Sequence, residues 1–312
     1  MKRIHVVAGI LRDAQGRVLL AQRGVGKHLE GLWEFPGGKV DPGESPLAAL
    51  RRELHEEIGV EVDAATPLIS VPWHYPGKRV ELDVHEVTAW RGEPHGREGQ
   101  AIAWCVPEAM HEFEMPAADR PVVTALRLAR RMLVTPEHGL DDPAFVERLG
   151  RAFDAGLRLV QLRAPGLDDA QLEAVAARLH ARAAVHGATL VVNGSIEVAQ
   201  RLGLGLHLGA AAARAHVARP VDRARWFGVS AHDATELAHA QVLDADYAVL
   251  GPVRETATHA GAPGMGWTRF AALARELPMP CFAIGGLAPH ELGLARAHGA
   301  FGVAGIRAFL PD

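Results

Sequence analysis

Four glutamates lie at fixed spacings between Gly38 and Val60, and they are the strongest chemical feature of the chain. They are Glu44, Glu53, Glu56 and Glu57. Like charges one helical turn apart destabilise a helix by about 0.2–0.5 kcal/mol per pair. A divalent cation reverses that sign, and carboxylate oxygens suit Mg²⁺ or Mn²⁺. The spacing therefore indicates either a metal site or a solvated acidic face on which Arg52 pairs with Glu56.

The residues between these acids predict the helix that positions them. Ser45 is suited to the N-cap and Pro46 to the first helical position. We expect the helix to run to about Ile58 and to end at Gly59 in the left-handed conformation. One stripe of this helix is aliphatic and is expected to be buried, with the glutamates on another face. The stripe consists of Leu47, Leu50, Leu54 and Ile58.

The stretch as a whole matches the Nudix box, G-x5-E-x7-R-E-U-x-E-E-x-G-U, in which U is a bulky aliphatic residue. Its nine specified positions are filled by Gly38, Glu44, Arg52, Glu53, Leu54, Glu56, Glu57, Gly59 and Val60. A match of this length favours the metal site over the solvated face.

Residues 1–130 resemble the MutT-type 8-oxo-dGTP diphosphatases of the Nudix family. The matching segments are Arg23, His28, Leu32–Gly38, Glu93–Gln100 and Met115–Ala118. The resemblance implies a Mg²⁺-dependent enzyme, with Mn²⁺ as an alternative ion, that hydrolyses a nucleoside triphosphate to the monophosphate and pyrophosphate. It also implies 8-oxo-dGTP as the substrate and nucleotide pool sanitation, which avoids replication errors, as the role.

The same resemblance assigns site residues. The implied metal ligands are the Gly37 carbonyl, Glu53, Glu56, Glu57 and Glu98. We expect Glu53, or otherwise Glu98, to be the general base. Arg52 is expected to orient the carboxylates and Glu44 to fix the loop. The expected substrate contacts are Arg23, His28, Glu34, Phe35 and Asp119.

Asp119 departs from the pattern, because the resembled enzymes have an asparagine there. An amide both donates and accepts hydrogen bonds, whereas a carboxylate donates only when it is protonated. We expect Asp119 to lie in the base pocket and to alter base discrimination. Lys27 also departs, since that position is often apolar in the resembled enzymes.

Composition limits the class of protein. A chain of 312 residues predicts two domains, and 48% hydrophobic with 22% charged residues is ordinary for globular proteins. A net charge of −4 provides no basic surface for duplex nucleic acid. Cys105 and Cys281 are expected to be buried free thiols in a reducing cytoplasm. No apolar run is long enough for a membrane span, and no zinc-ligand spacing is present. The sequence specifies no oligomeric state.

The two halves differ in the order of their predicted elements. Residues 1–130 combine strands at Ile4–Leu11, Val18–Gln22, Val80–Trp90 and Ile102–Val106 with the helix above and one near Arg120–Arg131. This order favours a mixed sheet between helices, an α/β/α sandwich. The absence of a flexible linker after this half leads us to expect a fixed arrangement of the two.

Residues 131–312 alternate strands with helices, which predicts a (β/α)8 TIM barrel. The helix expected over Ala210–Ala218 is the weakest. The predicted strands are Met132–Thr135, Leu157–Arg163, Thr189–Asn193, Gly205–Gly209, Trp226–Ala231, Tyr247–Gly251, Cys281–Ile284 and Gly302–Ile306.

This half resembles the thiamine phosphate synthase and TenI superfamily. The motifs that carry the resemblance are Val160–Arg163, Val191–Asn193, Leu206–Gly209, Gly228–His232, Asp246–Val253, Glu255–Thr256 and Ala283–Gly286. The resemblance implies a phosphate cradle at a helix N-terminus, formed by Gly285, Gly286 and the backbone after Ile306. The other expected ligand contacts are Arg163, Asn193 and His232.

Residues that the synthase requires are replaced. The two metal carboxylates of the family pattern are Gly194 and Ala212 here, and its two lysines are Pro165 and His259. Synthase activity is therefore not expected. The open alternatives are a metal-free thiazole tautomerase with His232 as acid and base, and a sensor that binds a phosphorylated metabolite. In either case the Nudix half could act on damaged thiamine diphosphates instead of nucleotides.

Overall fold

The computed structural model describes residues 2–24, 26, 27, 29–256 and 263–311. The chain divides into two compact units, Met1–Arg127 and Leu128–Asp312. Both cysteines are buried and free, as predicted. No helix within the described residues is long and apolar enough to cross a bilayer.

The elements of the N-terminal unit are β1 (Lys2–Ile10), β2 (Val18–Gln22), β3 (Trp33–Glu34), β4 (Gly37–Lys39), α1 (Pro46–Ile58), β5 (Glu61–Tyr75), β6 (Lys78–Arg91), β7 (Ile102–Cys105) and α2 (Arg120–Arg127). They form a mixed four-stranded sheet in the order β4-β1-β6-β5 and an antiparallel three-stranded sheet in the order β3-β2-β7. Strands β1 and β6 run parallel, and β4 and β5 are antiparallel to their neighbours. The predicted mixed sheet is confirmed.

Helix α1 has the predicted ends. The Ser45 hydroxyl accepts a hydrogen bond from the Ala48 amide at 3.2 Å, and Gly59 has a φ of 72°. Leu50, Leu54 and Ile58 are fully buried, and Leu47 packs against the same core. The buried stripe fixes the rotation of α1, and its glutamates consequently face away from the core.

The C-terminal unit is a closed barrel of eight parallel strands, as predicted. Its strands are β8 (Arg131–Val134), β9 (Leu159–Leu162), β10 (Thr189–Asn193), β11 (Gly205–Leu208), β12 (Phe227–Ala231), β13 (Tyr247–Leu250), β14 (Cys281–Ile284) and β15 (Gly302–Gly305). Its helices are α3 (Pro143–Asp154), α4 (Asp169–Val185), α5 (Ile196–Leu202), α6 (Ala210–Ala213), α7 (Ala234–Val242), α8 (Gly266–Ala274) and α9 (Leu292–Ala297).

Two predicted helices are shorter in the structure. The helix expected up to Arg131 ends at Arg127, because the following residues join the barrel. The Arg130 carbonyl accepts from the Val303 amide at 2.9 Å, and Arg131 pairs with Val303 in register. Helix α6 covers only the first residues of the segment expected over Ala210–Ala218.

Candidate active site

The N-terminal unit contains a cavity of about 690 Å³ beside α1. Two sets of residues line it. The acidic group consists of Lys27, Gly37, Gly38, Glu53, Glu57 and Glu98, and the inner group of Arg23, Glu34, Phe35, Tyr75 and Asp119. Most of the residues expected at the active site therefore border one space.

Arg52 organises the carboxylates of the α1 segment. Its Nη1 donates to Glu53 Oε1 at 2.8 Å, while Nε and Nη2 donate to the two oxygens of Glu44 at 3.1 and 2.9 Å. Nη2 also donates to the Lys39 carbonyl at 3.0 Å. These bonds raise the pKa of Arg52 above its usual range, with the Glu44 bond as the largest cause. Glu44 thus contacts the loop and the arginine, and it does not line the cavity.

Two glycines make room for the acidic group. A Cβ on Gly38 would lie 2.2 Å from the Glu53 carboxyl carbon. A Cβ on Gly37, whose φ is +154°, would lie 2.1 Å from the Val7 carbonyl oxygen. The Gly37 amide donates to Glu57 Oε2 at 3.0 Å. The loop before α1 can therefore approach both carboxylates only with glycine at these positions.

Glu57 is only 14% exposed and lies among like charges. Burial raises its pKa to about 7, and the nearby Glu34 and Glu98 act in the same direction. The Gly37 amide and Lys27 oppose the shift. The Lys27 ammonium donates to Glu98 Oε2 at 2.5 Å and lies 3.9 Å from Glu57 Oε1. The site thus favours positive charge between these two carboxylates.

The donor set fits a hard divalent cation. In the part of the chain that the structure describes, no three acidic, histidine or cysteine side chains are arranged as a complete set of metal ligands. However, Glu53, Glu57 and Glu98 border one cavity, Lys27 occupies the gap between two of them, and Gly38 leaves space beside the third. These carboxylates already bind one cation, the ammonium group of Lys27, and their oxygen atoms are the hard ligands that Mg²⁺ prefers.

Glu56 stands apart from the other expected ligands. It is 55% exposed, it lies 3.4 Å from Arg52 Nη1, and it is not among the residues that line the cavity. His28, an expected substrate contact, lies outside the described residues.

The inner group places a carboxylic acid in a desolvated pocket. Asp119 is 5% exposed, and burial raises its pKa well above the usual value, with a further contribution from Glu34. Burial also raises the pKa of Glu34. Arg23 forms an ion pair with Glu34 and opposes the rise in pKa of both Glu34 and Asp119. The Tyr75 hydroxyl hydrogen-bonds the Ala118 backbone beside this pair. Arg23 pairs with Glu34 and Asp119 is the more deeply buried of the two carboxyl groups, so its surroundings favour the protonated form, which donates a hydrogen bond.

The barrel contains a second cavity, of about 1100 Å³. All five residues expected to contact a ligand there line it: Arg163, Asn193, His232, Gly285 and Gly286. Gly194 and Ala212 also line it, and they bring no side-chain oxygen to the two positions of the expected metal carboxylates. These two positions of the family pattern therefore lack their metal ligands, although Glu236 and Glu255 line the same cavity. His259 lies outside the described residues.

Polar pairs surround the barrel cavity. His232 Nδ1 lies 2.8 Å from Glu236 Oε2, and Arg214 donates to the other oxygen of Glu236 at 2.8 Å. Asn193 donates to Gln161 Oε1 at 2.8 Å. The sequence analysis did not single out Glu236 as a site residue. Its spacing of four residues from His232, close to one helical turn at the start of α7, was the available signal.

The glycine pair expected to form the phosphate cradle lies in a loop shortly before a helical segment. Gly285 and Gly286 have φ values of +109° and +64°, which suits a tight loop. The loop leads to a 3₁₀ turn at Pro289–Glu291, and the segment after Ile306 forms only the 3₁₀ turn Arg307–Phe309. The turn at Pro289–Glu291 runs directly into α9 (Leu292–Ala297), so a helical segment begins three residues after Gly286. The phosphate cradle stays a prediction.

Beneath the barrel cavity lies a buried histidine that the sequence patterns did not single out as functional. His207 is fully buried, with Nε2 2.8 Å from Ser230 Oγ and Nδ1 3.3 Å from the Tyr247 hydroxyl. Burial lowers its pKa to about 3. The imidazole is consequently neutral and connects the barrel core to Ser230, which lines the cavity.

Comparisons with known proteins match each unit to a family. The family profile described as "NUDIX domain" matches residues 2–126, and the one described as "Thiamine monophosphate synthase" matches residues 131–309.

Three relatives illustrate the two matches. A CTP pyrophosphohydrolase of Escherichia coli strain K12 is 41% identical over 133 residues, which cover 42% of this chain and 98% of that protein. An 8-oxo-dGTP diphosphatase of Haemophilus influenzae is 41% identical over 125 residues, covering 40% and 92%. A putative thiamine-phosphate synthase 2 of Aquifex aeolicus is 29% identical over 167 residues, covering 53% and 90%.

The acids of α1, the cavity beside them and these matches agree on the N-terminal unit, and the eight-stranded barrel and its match agree on the other. The chain is therefore a Nudix hydrolase, acting on a phosphoric anhydride, joined to a barrel of the thiamine monophosphate synthase family.

Proposed function

We propose that the N-terminal unit is a Mg²⁺-dependent nucleoside triphosphate pyrophosphohydrolase, with 8-oxo-dGTP as its leading substrate. Water adds to the triphosphate, the anhydride bond beyond the α-phosphate breaks, and the monophosphate and pyrophosphate leave. The observation that carries the proposal is the single cavity bordered by Glu53, Glu57 and Glu98 on one side and by Asp119 on the other.

The acidic group would perform the chemistry. A divalent ion held by Glu53, Glu57 and Glu98, with the Gly37 carbonyl, would lower the pKa of bound water and offset phosphate charge. Glu53 is our proposed general base, because Arg52 fixes its carboxylate at the cavity wall. Glu98 is the alternative base. Glu56 would join the ligands only after leaving Arg52.

The inner group would recognise the base. A protonated Asp119 offers one donor and one acceptor, as the asparagine of the resembled enzymes does. This removes the repulsion that an ionised carboxylate would exert on the carbonyl oxygens of an oxidised guanine. Arg23 is proposed to contact phosphate, since guanidinium groups bind phosphate oxygens in pairs. Phe35 supplies a buried apolar surface beside them.

A cytidine triphosphate is the second candidate substrate. The donor and acceptor of a protonated Asp119 also complement the N3 acceptor and N4 amino donor of cytosine. The similarity to a CTP pyrophosphohydrolase over 98% of that protein supports this choice.

Pyrophosphate release from a panel of substrates tests the assignment. The panel consists of 8-oxo-dGTP, dGTP, CTP and thiamine diphosphate, each with Mg²⁺. We expect 8-oxo-dGTP to be preferred and Glu53→Gln to lose at least about 100-fold in kcat. Equal turnover by Glu53→Gln would reject the metal site, and a preference for thiamine diphosphate would assign the unit to the thiamine pathway. If Asp119→Ala keeps the preference for 8-oxo-dGTP over dGTP, Asp119 does not read the base.

For the barrel, we propose a metal-free site for a small phosphorylated ligand, without synthase activity. The absence of carboxylates at Gly194 and Ala212 supports this, and the pairing of His232 with Glu236 suits proton transfer. Calorimetric binding of a thiazole phosphate tests it. Gly286→Ala should abolish binding, whereas Gly299→Ala, another positive-φ glycine with open space around it, should not. No binding by the wild type would leave the barrel a structural role.

A further inference from the structure

Lys27 lies where the acidic group is most crowded. Its ammonium donates to Glu98 at 2.5 Å and lies 3.9 Å from Glu57, and the charge of Glu34 also acts on it. Glu57 and Glu98 are 41 positions apart in the sequence, and Lys27 precedes both. The lysine therefore connects α1 to the loop that carries Glu98 at the wall of the cavity.

Lys27 and a divalent cation need the same oxygen atoms. Glu57 is 14% exposed, so its charge is largely shielded from water and requires a nearby cation. An ammonium group and a metal ion that share the gap would also repel each other. Lys27 must consequently leave the gap before these carboxylates can act as metal ligands.

The lysine is suited to such a movement. Its side chain is 46% exposed, and a long, flexible stem carries its charge. The cavity that it borders would also receive the triphosphate. Once displaced from Glu57 and Glu98, its ammonium would find phosphate oxygens as the nearest new partners.

We propose that Lys27 is an internal counter-ion that holds Glu57 and Glu98 together before metal and nucleotide bind and then pairs with the triphosphate instead. It thereby weakens metal binding in the absence of nucleotide and strengthens it in the presence of nucleotide. This inference rests on the proposed pyrophosphohydrolase function, and it assigns Lys27 the coupling between the two ligands.

Mn²⁺ binding to the nucleotide-free full-length protein, followed by electron paramagnetic resonance, is the first test. Lys27→Met should bind Mn²⁺ about 3- to 10-fold more tightly than wild type, the range expected for a partly exposed charged hydrogen bond. Lys27→Arg should remain close to wild type. Lys39→Met is the matched control, since the exposed Lys39 borders the same cavity. The affinity of this variant for Mn²⁺ should differ from that of the wild type by less than about twofold.

Binding of inorganic tripolyphosphate in the presence of Mg²⁺ is the second test. This probe has the phosphate chain but no base, so it reports phosphate contacts alone. Lys27→Met should bind it about 10-fold more weakly, the loss of one charged hydrogen bond, and Lys27→Arg should restore binding.

The outcomes distinguish failure of the counter-ion role from failure of the proposed function on which it rests. Glu57→Gln should weaken Mn²⁺ binding at least about 10-fold, and an unchanged affinity would reject the proposed metal site itself. If Glu57→Gln weakens binding but Lys27→Met matches wild type, the metal site stands and the counter-ion role is overturned. Weaker Mn²⁺ binding by Lys27→Met would also overturn it, because the lysine would then support the site directly.

Discussion

The two cavities differ in how their electric charge is arranged. The Nudix cavity gathers Glu53, Glu57 and Glu98 and offsets them with Lys27 and Arg52. The barrel cavity has Gly194 and Ala212 where its family pattern expects carboxylates, and its Glu236 is bound by Arg214 and His232. The difference teaches that capacity for metal chemistry follows the oxygen atoms that line a cavity rather than the fold around it.

The two glycines before α1 are expected to give a large effect. Gly38→Ala places a Cβ 2.2 Å from the carboxyl of Glu53, the end of a side chain that can move away. We expect about a 100-fold loss of kcat with little change in thermal stability.

Gly37→Ala is the contrasting variant. Its Cβ would lie 2.1 Å from the Val7 carbonyl oxygen, which is backbone and cannot move cheaply, and φ is +154°. It should lower the unfolding temperature of the Nudix unit as well as its activity, whereas Gly38→Ala should not. Calorimetry of both variants measures this, and equal destabilisation by the two would show that Gly38 does not act through Glu53.

The barrel core should respond to pH through His207. Its pKa is about 3 in the folded state against 6.5 for the unperturbed group, so the unfolded state binds a proton that the folded state refuses. The barrel should be most stable above about pH 6.5 and lose about 1.4 kcal/mol per pH unit as pH falls towards 3.

His207→Gln should remove this pH dependence. At pH 5 the variant should be spared the loss of about 2 kcal/mol of unfolding free energy that His207 causes in the wild type. Hydrogen exchange in peptides covering β11 to β13, corrected for intrinsic rates, measures the difference between the two proteins. Identical slopes for both would mean that His207 does not control the acid sensitivity of the core.

The Nudix cavity should respond to pH in its nucleotide affinity. Asp119 lies among Arg23, Glu34 and Tyr75, and its raised pKa favours the protonated carboxyl, which donates a hydrogen bond. As pH rises through that pKa, the carboxyl ionises and this donor is lost. Affinity for 8-oxo-dGMP should therefore weaken about 10-fold as pH rises through the folded pKa. Asp119→Asn should bind with no such dependence, and calorimetric titrations of both proteins decide the point. A parallel pH profile in the asparagine variant would place the titrating group elsewhere.

Two helix caps are expected to give effects confined to their own helices. Ser45 caps α1 and Ser195 caps α5, each through a hydroxyl 3.2 Å from an amide. Ser45→Ala should lower local stability by about 1 kcal/mol, and Ser195→Ala by up to about 2 kcal/mol because Ser195 is 8% exposed. Hydrogen exchange of α1 and α5 measures both. A larger loss at the exposed Ser45 would contradict this ranking.

Local patterns predicted much of the fold. Ser45, Gly59 and the aliphatic stripe determined the bounds of α1, and alternating apolar segments located all eight barrel strands. Strand β5 was missed because Pro67 and Pro72 interrupt its pattern. A strand tolerates proline at a sheet edge, and β5 is the edge strand next to β6.

Side-chain partners across long separations were less predictable. The family resemblance predicts Asp119 in a base pocket, and that stays a prediction; its position in one cavity with Tyr75 was not predicted, since Tyr75 ends the missed strand. The raised pKa of Asp119 depends on burial that no local pattern encodes. The contact of Lys27 with Glu98 joins two loops 71 residues apart, and only the folded chain brings them together.

The most direct test of the contrast between the two cavities is Mg²⁺-dependent pyrophosphate release from 8-oxo-dGTP by Glu53→Gln and His232→Gln side by side. We predict a loss of at least about 100-fold for Glu53→Gln and a rate within about twofold of wild type for His232→Gln, since general-base groups contribute at least that much. Full activity in Glu53→Gln, or an equal loss in His232→Gln, would contradict a single catalytic metal centre beside α1.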